Sequence, residues 1–166
     1  MKQKSILVVC IFISIHLIFK AQDVNKDSIL NAVTNNSQSG KAELLIDLSS
    51  QTLHENPGES AIYSKLALEK ATENQDWQIA VQALLNLGHA SILQGNYDSA
   101  RMHFNQAKEI TQKEEIQYEY FQSLHGIATV LNKLRKSDSA QLILLDVIKQ
   151  SEKSDFRSYT PALWNA

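Results

Sequence analysis

Five histidines, 18 acidic residues and one cysteine are the side chains most able to carry chemistry in this 166-residue chain. A zinc-binding helix needs two ligands one turn apart and a third close by. His54, His89, His103 and His125 have no partner in that register. His89 and His103 approach each other if the chain folds back between them, but two imidazoles without a third ligand make no metal site. The glycines at 40, 58, 88, 95 and 126 are isolated, which leaves no phosphate-cradling loop and no dinucleotide fingerprint. No Gly-x-Ser-x-Gly elbow presents a nucleophile. Glu114, Glu115 and Glu119 read as an acidic connector facing solvent. With a formal charge of −2 and a pI of about 6.2, the chain lacks the basic footprint of a nucleic-acid binder. These residues predict no catalytic centre, no metal and no cofactor.

Cys10 belongs to a different story. Lys2 and Lys4 precede an apolar run from Ile6 to Phe19, and Lys20-Ala21-Gln22-Asp23 returns to polar residues. This is the layout of a secretory signal, with cleavage expected after Ala21. Fourteen helical residues would span roughly 21 Å, short of a hydrocarbon core of roughly 30 Å. The alternative is an uncleaved inner-membrane anchor with Lys20 snorkelling. Val9 before Cys10, and the early position of Cys10, do not fit a lipid attachment site. Three of the 16 basic residues fall within residues 1–21, so the processed chain would carry 13 against 18 acids, a charge of −5. It would hold no cysteine, which excludes disulfides and thiol chemistry. Residues 22–40 read as a polar leader.

The elements beyond that leader are helical. Gly 5 and Pro 2 are too few to supply the corners of an all-β chain. From Trp77 to Leu93, apolar residues at 79, 80, 83, 84, 87 and 90 keep the 3–4 spacing of one helix face. Gly95-Asn96 breaks the pattern, and Tyr97 to Ile110 resumes it with Ala100, Phe104, Ala107 and Ile110. Tyr118 to Leu134, a break at Arg135-Lys136-Ser137, and Ala140 to Ile148 repeat the arrangement. Equivalent positions recur at an offset of forty: Leu84, Leu124 and Trp164; Leu87 and Ile127; Gly88 and Ala128; Phe104 and Leu144; Ala67, Ala107 and Val147. The fold class predicted is all-α, a solenoid of helix–turn–helix units with a period of about 40 residues. Gly88 and Ala100 would face each other within one hairpin, where large side chains would exceed an interaxial distance of about 8–10 Å.

Leu84, Leu87-Gly88, Ser91, Ala100 and Phe104 together resemble the tetratricopeptide repeat family, with Ser91 in a place where that family usually has Tyr. Leu124, Ile127-Ala128, Leu131, Ala140 and Leu144 repeat the pattern more loosely. An earlier unit fits Leu45, Leu48-Ser49 and Thr52, a turn at Asn56-Pro57-Gly58, and a second helix through Tyr63, Ala67 and Ala71. Either Ser60 or Ala61 takes its small slot. The resemblance covers residues 41–166, about three repeats and the start of a fourth at Pro161 to Ala166. The family's usual repeat is shorter, and the extra length is expected in the polar connectors around 72–76, 112–115 and 152–155. Such connectors are similar to those of exported bacterial sensory arrays.

The resemblance implies function through binding. Stacked hairpins turn their first helices to an inner, concave face, where extended peptides lie. On that face stand Gln82, Leu85, Asn86, His89 and Leu93 in the middle unit, and Gln122, His125, Thr129, Asn132 and Lys133 in the next. Gln82, Asn86, His89, Gln122, His125, Thr129, Asn132 and Lys133 are the candidate binding residues, because amides, hydroxyls and imidazoles hydrogen-bond a peptide backbone. The family's clamp for a terminal carboxylate needs a basic and asparagine set, of which only Asn86 and Lys133 have counterparts here. The expectation is an exported, non-enzymatic scaffold in the periplasm or at the cell surface, with a protein or peptide partner and no nucleic acid. The alternative is the extracytoplasmic sensory front of a longer signalling receptor, either a histidine kinase or a transcriptional regulator.

Overall fold

A computed structural model describes residues 38–153 of the chain. The expected signal segment, most of the leader and the fourth unit lie outside those residues. Six helices follow in order: α1 (Gln38–Thr52), α2 (Pro57–Glu73), α3 (Trp77–Leu93), α4 (Tyr97–Lys113), α5 (Gln117–Lys133) and α6 (Ser137–Lys153). No strand occurs among the described residues.

Local chemistry explains where these helices begin and end. Asn56 accepts a hydrogen bond from the Glu59 amide at 3.2 Å and Pro57 follows it, a residue whose missing N–H costs nothing in a first turn. Asp76 caps α3 in the same way, accepting from the Ile79 amide at 3.2 Å. At the other end, Gln75, Gly95, Glu115 and Arg135 take a left-handed backbone with φ between 57° and 76°. The next amide then returns to the helix: Asp76 N–H bonds the Ala71 carbonyl at 2.8 Å, and Asn96 N–H bonds that of Ser91 at 2.8 Å. This αL ending closes the orphan carbonyls of each helix. Glycine is the residue best suited to it, and only Gly95 supplies one.

This corrects the expectation that long connectors hold the extra length. The breaks at 74–76 and 114–116 are as short as the one at 94–96, and α2 to α6 each have 17 residues. Glu73, Gln112 and Lys113 continue their helices because long, unbranched polar side chains are good helix formers.

Each helix packs on its neighbour, α1 to α6 in sequence, and contacts also run from α1 to α3 and from α3 to α5. First helices therefore touch along the stack. Two core clusters fill the seams. One joins Leu45, Leu48, Tyr63, Ala67 and Ala71 to Ile79 and Ala83 of α3. The other joins Leu84, Leu87, Ala100, Phe104 and Ala107 to Ile127 and Val130 of α5. In the first unit the small slot belongs to Ser60, which is fully buried, while Ala61 is partly exposed.

Phe104 is fully buried between two glycines. A Cβ on Gly88 would lie 2.6 Å from its ring, and one on Gly126 would lie 2.4 Å from it. Forty residues upstream the three positions hold Leu48, Ser64 and Asn86, so a small central residue there leaves room for larger flanks. Ser64 joins a buried network: Ser49 Oγ lies 2.6 Å from Ser64 Oγ and 3.0 Å from Ser60 Oγ, and it accepts from Asn86 Nδ2 at 3.1 Å. The two seams solve one volume problem in opposite ways.

Gly126→Ala should therefore cost about 1–3 kcal/mol, the usual penalty for overpacking. Paired with Phe104→Leu, the loss should fall short of the sum of the two single changes, as expected for residues in contact. Urea denaturation of the two single variants and the double variant measures this. Strict additivity would show that Gly126 is not making room for the ring.

Candidate functional site

A cavity of about 250 Å³ opens where the three first helices meet. From α1 it takes Ile46 and Ser50, and from α3 Gln82, Leu85, Asn86 and His89. Tyr118, Glu119 and Gln122 of α5 complete it. The spacing 82, 85/86, 89 is one face of a helix, and 118/119, 122 is one face of the next. Helix α3 contains no charged residue, so its wall is made of amides, one imidazole and aliphatic surface.

Four of the eight expected binding residues meet in this cavity: Gln82, Asn86, His89 and Gln122. His125 is half-buried on the following turn of α5, close enough for its charge to oppose protonation of His89. The Thr129 hydroxyl is turned to its own helix, donating to the His125 carbonyl at 2.9 Å. Asn132 and Lys133 are exposed in the last turn of α5 and do not line the cavity. They stand roughly 15 Å along the helix from Gln122 at 1.5 Å per residue. Leu85 lines the cavity while buried, and Leu93 is exposed at the end of α3.

Asn86 has a structural task as well. Its Nδ2 donates to Ser49 Oγ and to Ser50 Oγ, each at 3.1 Å, tying α3 to α1. Its carbonyl oxygen is the part left for a ligand. His89 lies edge-on to Phe104, with ring centroids 5.2 Å apart and planes at 74°. It does not meet His103, whose Nδ1 is 3.5 Å from Ser91 Oγ on the far side of α3. Among the described residues no group of three or more His, Cys, Asp or Glu is placed to hold a metal ion.

Glu119 departs most from the sequence expectation. It is 6% exposed and accepts a hydrogen bond from Gln78 Nε2 across the α3–α5 seam. A signal for this existed. Glu119 and Ile79 are both the third residue of a first helix, and Ile79 is a buried core residue. The slot faces inward whatever its occupant.

A larger hollow of about 770 Å³ lies between the α4–α5 turn, Tyr120, Phe121 and Gln150. Phe121 and Gln150 stand forty residues after Val81 and Ile110, which share a core cluster with Leu124 and Ile127 of α5. None of the candidate binding residues lies in the hollow.

Burial lowers the proton affinity of three histidines. For His89 desolvation is the main cause, followed by the charges of His125 and His54. Desolvation dominates for His103 as well, with Lys65 adding to it, and it acts alone for His125. In the unfolded chain each takes up a proton near 6.5. The unfolded state thus binds more protons just below that pH, so stability falls on acidification and levels off below the folded values. Melting temperatures between pH 7.5 and 5 should decline accordingly, and His89→Gln should flatten the decline. An unchanged slope in that variant would refute the assignment.

Residues 79–153, from α3 to the end of α6, match the family model described as tetratricopeptide repeat. No curated protein matches the sequence. Paired helices joined by tight turns, stacking through their first members and matching this family in sequence, make residues 79–153 a tetratricopeptide repeat array.

Proposed function

We propose that the groove along α1, α3 and α5 seats a peptide segment of a protein partner. Tetratricopeptide repeats are a non-catalytic scaffold type that mediates protein–protein contact. The observation that carries the reading is the convergence of Gln82 and Gln122 on one cavity. Both amides are half-buried, and neither side chain forms a hydrogen bond among the described residues. Each offers a donor pair and an acceptor, the complement of an extended peptide backbone. The carbonyl of Asn86 and the imidazole of His89 extend the same surface. A photo-crosslinking residue placed at Gln122 should capture the partner, and one at Met102, exposed on α4, should not. Gln82→Ala and Gln122→Ala should each change stability by no more than about 0.5 kcal/mol. Each should weaken the captured complex by about 1–3 kcal/mol. Capture from Met102 alone would place the interaction on the outer helices.

We also propose export, on the strength of the basic, apolar and small-residue order of the first 22 positions. Mass spectrometry of protein recovered outside the cytoplasm should find Gln22 as the first residue. An intact Met1 on membrane-bound protein would establish the anchor instead.

A further inference from the structure

Some acids on the surface of this protein have cations beside them. Lys70 Nζ lies 2.8 Å from Glu73, Lys113 Nζ 3.0 Å from Glu114, and Arg101 3.6 Å from Asp98. Glu119, the acid buried in the stack, has none. Among the described residues its carboxylate meets a single side-chain donor, the neutral amide of Gln78. An ionised carboxylate has about four acceptor sites and is costly to bury without an opposite charge. The cavity it lines supplies no such charge. Its other members are neutral at pH 7, His89 included, because burial disfavours its protonated form. Nor can α3, which has no lysine or arginine, swing one in.

We propose that the groove selects a cationic group, the ammonium or guanidinium of a partner's lysine or arginine side chain, and holds it at the Glu119 carboxylate. This rests on the groove being the partner's seat and specifies what that seat reads. The acceptors around Glu119 suit such a guest: the carbonyl oxygens of Gln82, Gln122 and Asn86 line the same cavity and can take the remaining N–H donors. A volume of about 250 Å³, that of about eight waters, admits one long side chain and little more. Binding should weaken on acidification, since protonation of His89 or His125 adds positive charge unfavourable to a cation.

The test uses the purified chain, labelled with nitrogen-15, and three small probes: the N-acetyl, N-methylamide derivatives of arginine, norleucine and glutamate. The arginine probe should shift the backbone amides of Glu119, Gln122 and Gln82 saturably, and about tenfold more tightly than norleucine, the worth of a charge-assisted hydrogen bond. The glutamate probe should leave those amides in place. Glu119→Gln keeps an acceptor for Gln78 and should remove that tenfold advantage, whereas Asp47→Asn, an exposed acid on α1, should not. A measurement without substitution covers the chance that the variant unfolds: added salt should weaken the arginine probe and spare the norleucine probe. Equal affinity for arginine in Glu119→Gln, absence of salt dependence, or shifts gathered at Glu43 and Asp47 would overturn the proposal. If norleucine binds the groove as tightly as arginine, the cation preference fails and the peptide seat stands. If no probe moves a groove amide, the cation site fails, and the crosslink from Gln122 decides the wider reading separately.

Discussion

Phe104 sets the distance between neighbouring hairpins. The ring comes from α4, but the space for it is made by Gly88 on α3 and Gly126 on α5, so two units must close on one side chain. Neither hairpin could bury it alone. A single hairpin of two 17-residue helices exposes one whole apolar face, and each seam covers that face with the next first helix. Stability is thereby pooled between neighbours. The upstream seam reaches the same end with Leu48, Ser64 and Asn86, placing polar atoms where the other has a ring and satisfying them within the Ser49, Ser60 and Ser64 network.

The close approach also creates the groove. Small residues at the seam draw α3 and α5 together, and the first helices then lie near enough for Gln78 to reach Glu119 and for Asn86 to reach Ser49 and Ser50. What remains between them is a cleft too shallow for a core and too enclosed for free solvation. Amides fit such a place, being polar enough for water and cheap to leave in partial contact with it. Phe104 links the two features, since His89 at the groove wall rests against the ring. A change in the seam therefore reaches the groove through one contact.

Much of this was legible in the sequence, because helix period and small-residue spacing are properties of the chain itself. The apolar period gives the limits of α3 residue for residue, and Gly88 stands out as a close-packing position from its place opposite Ala100. Gly126 reads as an isolated glycine, because its partner ring lies on the preceding hairpin, and a pattern read within one unit does not show contacts between units. For the same reason His103 was paired with His89 by hairpin logic, when the charges that bear on His89 come from His125 and His54 on neighbouring elements. The candidate face divides along α5: Gln122 reaches the cavity, while Asn132 and Lys133 lie exposed in the last turn beyond it. Polar composition in the connectors reads as loop, whereas the left-handed residues at 75, 115 and 135 set the helix ends.

Glu119 shows where composition and position disagree. Its neighbours Glu114 and Glu115 mark it as solvated surface, but its place as third residue of a first helix marks it as core. Position prevails, because the backbone fixes which way the slot faces before the side chain is chosen. The equivalent slot in α3 holds Ile79 at 7% exposure, so the stack accepts a hydrocarbon there. Burying such a side chain is worth about 1.5–3 kcal/mol, and burying a carboxylate opposite one neutral amide forgoes that gain and adds a desolvation penalty. Packing gives no reason for an acid at this slot. The first turn of α5 favours an acid there through the helix dipole, and an opposite charge brought into the cavity by another molecule would make that acid the most selective residue of the seam.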